Sequence, residues 1–265
     1  MKSFFYTIII LGFTLNLFSQ GHLSKEYKNK KLIIGEDLTY VVKYAFFRLG
    51  EVRFKIVVKT KIRNTPVFKT VAYIDSYPDL PFVSIHQEYE SYIDTSFFPL
   101  KFSARIFGED TTFVNYSFID DSRIEVKKGK LGNFDLWVDS TAYIDKRFQD
   151  GLSILFYAMM NVGKEKTIFV PCFVNEKDEI AKINYYSERE PVSIDSVDYQ
   201  IDCLRLDGET DFVSVYGLTG YFEGWFSNDT LSIPILAKMH VLIGSVTLEL
   251  IKWNDELWSP PEYKN

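Results

Sequence analysis

Histidine and cysteine are almost missing from this chain: three and two among 265 residues. That scarcity excludes a structural zinc site of the usual four-ligand kind. His22, His86 and His240 are far apart in sequence, and "HQE" at His86–Glu88 lacks the second histidine four residues on that zinc hydrolases use. Glycine-rich phosphate loops are absent as well. "GLSIL" is not a nucleophile elbow, because Ser153 falls inside an amphipathic run rather than on a strand-to-helix turn. Positive charge is in deficit: the net charge is −6 and the isoelectric point about 5.2. This excludes nucleic acid as a natural partner. No cofactor or metal is expected. After the first 18 residues no apolar run is long enough to span a bilayer.

Those first residues, "MKSFFYTIIILGFTLNLFSQ", have the charged start, apolar middle and small residue of a secretory signal ending at Ser19. Cleavage there leaves 246 residues with no transmembrane segment. Lys-rich "KEYKNKK" then suggests a flexible mature N-terminus over 20–34. The expected localisation is export to the periplasm or cell surface as a soluble protein. Export permits a disulfide between Cys172 and Cys203. The alternative is two buried thiols on neighbouring strands.

What the chain has in abundance is aromatic and alternating sequence. Phe (23) and Tyr (17) dominate, and both favour strands. "LTYVVKY", "VRFKIVVK" and "SVTLELIKW" alternate with period two. Arg48-Leu49-Gly50-Glu51 and Gly129 read as turns. One segment differs: "DGLSILFYAMMN" places Leu152, Leu155, Phe156 and Met159 at helical spacing, with Asp150 as N-cap. The fold class is therefore mainly β, an antiparallel curved sheet or open barrel with one buried helix near 150–160. The expected organisation is a single all-β domain over 35–254, in two similar halves, with a tail at 255–265. The halves are suggested by an echo. Asp94-Thr95 with Pro99, and Asp229-Thr230 with Pro234, share the pattern D-T-x-x-x-P at an offset of 135 residues. Each reads as a hairpin turn whose Asp accepts about one ordinary hydrogen bond and whose Pro opens the next strand.

Four segments, "GEDLTYVVKYAFFRLGEVRFKI", "YESYIDTSFFPLKF", "DGLSILFYAMM" and "GWFSNDTLSIPILAKMHVLIGSVTLEL", together resemble the domain of unknown function 3108 family of exported bacterial proteins. Met160 departs from the Arg that the family's helix offers after Y-x-x. The resemblance implies a curved sheet or open barrel with a helix against it, similar to lipoprotein carriers, and no activity.

Candidate binding residues are the aromatics Tyr185, Tyr186, Tyr216, Tyr221, Phe222 and Trp225. They are read either as core packing or as the lining of a cavity for a lipid or another envelope amphiphile. The functional expectation is an exported, non-enzymatic envelope protein that binds an apolar ligand or assists envelope assembly. One alternative is an envelope glycan hydrolase using carboxylates such as Asp207, Glu209 or Asp211. Another is a structural module for protein partners.

Overall fold

A computed structural model describes residues 32–81, 84–132, 135–213, 219–240 and 244–264. Fourteen antiparallel strands form one sheet. β1 (Asp37–Tyr44), β2 (Phe47–Ile62), β3 (Thr65–Ser76), β4 (His86–Asp94), β5 (Pro99–Phe107), β6 (Thr112–Asp120), β7 (Arg123–Lys130) and β8 (Asp135–Tyr143) precede a short helix α1 (Ser153–Met159). β9 (Lys166–Val174), β10 (Lys177–Val192), β11 (Ile201–Thr210), β12 (Gly220–Ser227), β13 (Pro234–His240) and β14 (Ser245–Lys252) follow it. Each run is a meander, and β1 joins β14 at the middle, giving the order β8 to β1, then β14 to β9. β8 and β9 are the two ends, so the sheet is not closed.

The expected curved sheet with one helix is therefore the observed fold. The helix is shorter than its periodic segment because Gly151 and Leu152 stay outside it. The amides that open it are held by Asp150, two residues before the helix-flanking Leu152. The segment before the helix also covers part of the β9 edge. Gln149 pairs in parallel with Cys172, donating its N–H to the Pro171 carbonyl and accepting from the Phe173 N–H, both at 2.8 Å. An unpaired edge is a template for aggregation, and this segment blunts one.

Two turn assignments need correction. The β1–β2 turn falls at Ala45–Phe46, with Ala45 at φ 52°, and not at Arg48–Glu51. Gly50 lies inside β2, where a Cβ would come within 2.1 Å of the Asp75 carbonyl oxygen. Gly129 likewise lies inside β7, at a bulge opposite the start of β8. These glycines serve close strand approach rather than chain reversal. The signal segment, the lysine cluster and Tyr216 lie outside the described residues, but Leu32, assigned to the flexible N-terminus, is buried in the core. The expected tail runs back beside β11: Asp202 donates to the Pro261 carbonyl and Tyr263 to the Gln200 carbonyl.

Asp94 and Asp229 sit in turns built alike. Asp94 Oδ1 accepts from the Ser96 and Phe98 amides, and Oδ2 from Arg147 at 2.7 Å. Asp229 Oδ1 accepts from the Leu231 and Ser232 amides and from Ser227 Oγ, and Oδ2 accepts from Trp258 Nε1 at 2.7 Å. Three residues after each Asp the backbone turns left-handed, at Phe97 (φ 65°) and Ser232 (φ 49°). Pro99 and Pro234 open the following strands. Ile233 and Ile235 are fully buried, whereas Leu231 and Met239 are only partly so.

Both aspartates thus do more than the single hydrogen bond expected of a turn-former. Asp229→Ala removes the partner of four donors, and is expected to cost about 2–3 kcal/mol in urea denaturation, given about 1 kcal/mol per lost bond and partial resolvation. A loss under about 1 kcal/mol would show that water replaces the carboxylate.

Glu36 lies close to the Asp229 turn. Burial, then the Asp229 charge, push its carboxyl from 4.5 up to about 8. The folded state therefore binds a proton that the unfolded chain releases. This contribution is most favourable below about pH 4.5, declines as pH rises, and levels off above about 8. At about 1.4 kcal/mol per unit of displacement, the loss amounts to a few kcal/mol. Glu36→Gln is expected to flatten the fall in melting temperature between pH 5 and pH 8, and an unchanged slope would assign the dependence elsewhere.

Candidate functional site

Strand alternation sends one side chain in two to the concave face. Across β10 to β14 these include Ile183, Leu206, Phe222, Ala237 and Leu248, and they face Ile154, Leu155 and Ala158 of α1. Between sheet and helix remains a cavity of about 190 Å³. Its walls are almost wholly apolar. Small residues keep it open: at Gly208 a Cβ would meet both the Lys182 carbonyl oxygen and the Phe222 ring at 2.4 Å. Any larger residue there would displace Phe222 from the wall.

The one fully buried acid at this cavity is Asp150. Its Oδ1 accepts from the Leu152 and Ser153 amides at 2.8 and 2.6 Å, and its Oδ2 accepts from the Ser91 hydroxyl of β4 at 2.6 Å. Burial raises its pKa to about 6 against the opposing pull of these bonds. A carboxylate whose lone pairs are spent on three structural donors is an anchor for the helix and not a poised general acid.

A second cavity, of about 300 Å³, lies against the concave face of β3 to β7. Tyr89, Phe102, Ala104 and Val114 form its apolar part, and the β9–β10 turn closes one side with Asn175 and Glu176. Here Glu176 accepts from Tyr116 Oη at 3.2 Å and from Lys128 Nζ at 3.0 Å. Gly151 and Val174 belong to the walls of both cavities.

The expected aromatic cluster does not assemble at one place. Phe222 lines the first cavity. Tyr185 is buried on the same concave side, but packed into the core, with its hydroxyl lacking a partner. Tyr186, Tyr221 and Trp225 emerge on the convex face, where Tyr186 Oη donates to Asp207, the Tyr221 ring meets His240, and Trp225 Nε1 donates to Glu190. Period-two alternation explains the split. Residues adjacent in sequence, such as Tyr185 and Tyr186 or Tyr221 and Phe222, must face opposite ways.

The carboxylates do not form a cleft. Glu209 and Asp211 are exposed. Asp207 and its cross-strand neighbour Glu223 share one guanidinium, Arg205, at 2.8 and 3.2 Å. Burial acts to raise the Asp207 pKa, but hydrogen bonds from Asn184 and Tyr186 and the Arg205 charge outweigh it and hold it below the usual value. A glycosidase acid needs the opposite shift. Among the described residues no cluster of metal-ligating side chains is present.

Cys172 and Cys203 are buried and free, so the candidate disulfide is not formed. They flank β10 opposite Glu179 and Glu190. That separation along the strand is on the order of 30 Å at about 3.3 Å per residue, against the roughly 7 Å a disulfide tolerates.

The family model described as "Protein of unknown function (DUF3108)" matches residues 39–251. The chain belongs to the DUF3108 family. Among curated proteins, none matches it. Among solved structures, a crystal structure of a beta-barrel-like protein of domain of unknown function DUF1849 from Brucella abortus is similar. Its identity is 12% and its TM-score 0.51, covering 84% of this chain and 98% of that one. At that identity the likeness concerns the fold alone. Where the DUF3108 resemblance leads one to expect Arg, Met160 is buried at the end of α1.

Sequence reasoning named Asp150 but not its bond to Ser91, and it missed Gly151, Lys128 and Glu176 as cavity residues. A small-residue position beside a helix cap was the available signal for Gly151. Asp150→Ala leaves two amides and a hydroxyl without their acceptor in a dry site, and is expected to cost about 3 kcal/mol or more by chemical denaturation. Asp150→Asn, which keeps one oxygen for the amides, should cost clearly less. Equal losses would mean that charge, rather than hydrogen bonding, anchors the helix.

Proposed function

We propose that this DUF3108 protein is an exported, non-enzymatic envelope protein that holds an apolar or lipid-like ligand beneath α1. The observation that carries the reading is the cavity of about 190 Å³ between the helix and β10 to β14, with an almost entirely apolar wall. Sites for small apolar ligands are concave, dry and marked by few polar groups. The signal-like first 19 residues support export. No helix among the described residues is long and apolar enough to cross a membrane. The acids offered for the hydrolase reading do not support it: Asp207 and its neighbour Glu223 are both ion-paired to Arg205 on the convex face, and Glu209 and Asp211 are exposed.

Mass spectrometry of organic extracts of the protein, purified from its native envelope, should detect a bound amphiphile. The stripped protein should take up the apolar dye 1-N-phenylnaphthylamine with a rise in fluorescence. Ala237→Phe projects a ring into the cavity and should abolish that rise without lowering the melting temperature, since filling a cavity is commonly stabilising. If no lipid is recovered and the wild-type protein also takes up no dye, the proposal is overturned.

A further inference from the structure

The two cavities occupy corresponding places in the two meanders. One lies against β3 to β7 and the other against β10 to β14, and both touch Gly151 and Val174. At one of these two shared positions the wall is a glycine, so no side chain projects there between the chambers. Their characters differ. The chamber under α1 is almost wholly apolar, whereas the other carries the Lys128–Glu176 ion pair at 3.0 Å, with Tyr116 Oη also on Glu176. Lys128 and Glu176 keep part of their side chains in solvent, at 34% and 26% exposure. Ile85 and Ile106, on the wall of the same chamber, are exposed. This chamber therefore has both a polar end and an entrance.

Resting on the function proposed above, we infer that the ligand is a single-chain zwitterionic amphiphile that spans both chambers. Its head lies at the Lys128–Glu176 pair, the anionic part toward Lys128 Nζ and the cationic part toward the Glu176 carboxylate. Its chain runs along the apolar wall of that chamber, crosses at Gly151 and ends beneath α1. A cation beside an anion is matched by a head that carries both charges, and leaves neither partner buried without a counter-charge. Two chambers that share their wall at Gly151 and Val174 fit one linear chain better than a branched or two-chain lipid.

Alkylphosphocholines provide a zwitterionic head with chains from about 8 to about 16 carbons, and are used below their micelle concentrations with the stripped full-length protein. In the wild type, affinity by calorimetry should rise about two- to fourfold for each added methylene, as burial of apolar surface requires, and native mass spectrometry should find one molecule per chain. Gly151→Leu blocks the crossing and Ala237→Phe fills the inner chamber. Each should sharply reduce the ratio of long-chain to short-chain affinity. Lys128→Met should weaken all chain lengths by a common factor. The inference is overturned if the long-to-short ratio is the same in the wild type and both variants, or if two molecules bind per chain. It is also overturned if a plain alkyl alcohol of equal length binds as tightly as the phosphocholine. Dye uptake by a wild-type protein that shows no chain-length increment would sink this inference alone. Failure of both dye and alkylphosphocholines would sink the proposed function with it.

Discussion

An antiparallel sheet that curls without closing has two liabilities, an apolar concave face and two unpaired edges, and the rest of the structure follows from how residues 147–160 meet them. Asp150 takes up the amides that open α1 and the Ser91 hydroxyl of β4, tying the helix to the opposite half of the sheet. Gln149 adds backbone pairing to β9. Arg147 reaches Asp94 at 2.7 Å and lies over the Phe98 ring at 4.4 Å. Three residues within four positions thereby engage three sites that are remote in sequence. The apolar face of α1, with Phe156 and Met159 buried, can then cover the concavity. Without the polar anchors the helix has seven residues and little stability of its own, since isolated helices under about 12 residues are marginal in water.

The turn aspartates act by the same logic at smaller scale. Each spends one oxygen on its own hairpin and the other on a distant donor, Arg147 for Asp94 and Trp258 for Asp229. One turn is thus coupled to the helix-bearing segment and the other to the C-terminal segment that lies along β11. Such coupling explains why a turn motif that looks local in sequence bears on the packing of whole elements. It also places Glu36 in a buried environment beside the Asp229 carboxylate, and burial first, then that neighbouring charge, raise the Glu36 pKa.

The fold was legible in the sequence because period-two alternation and turn residues are local signals. The helix, the β12–β13 and β13–β14 hairpins and the D-T-x-x-x-P turns could all be read from neighbouring residues. Gly50 and Gly129 were misread because glycine marks both turns and close strand approaches, and only the partner strand distinguishes them. The candidate site was legible in kind and not in place. An apolar cavity was foreseen, but the aromatics chosen for it were grouped by nearness in sequence, and alternation puts Tyr186, Tyr221 and Trp225 on the outside. The residues that do line the chambers, such as Ile154, Ala237 and Ala104, are ordinary core types. Nothing in their identity separates a filled interior from a hollow one. That depends on long-range register, which fixes where small residues such as Gly224 and Ala237 line the space beneath the helix.

The hollow itself has an energetic meaning. A void left in a packed core costs on the order of 24 cal/mol per Å³ in unrealised contacts. For the cavity of about 190 Å³ under α1, which is partly open to solvent, this sets an upper bound of about 4–5 kcal/mol, against the roughly 5–15 kcal/mol that holds a typical domain together. Ala158 and Ala237 line the space, and larger apolar side chains directed into it would recover part of that cost. Water offers little compensation, because a bound water needs two to four polar partners. The dry wall provides few, and the Asp150 oxygens that border it are already engaged. A guest with an apolar chain would restore those contacts without rearranging the sheet, which is the physical reason to read the space as a binding site rather than as a packing defect.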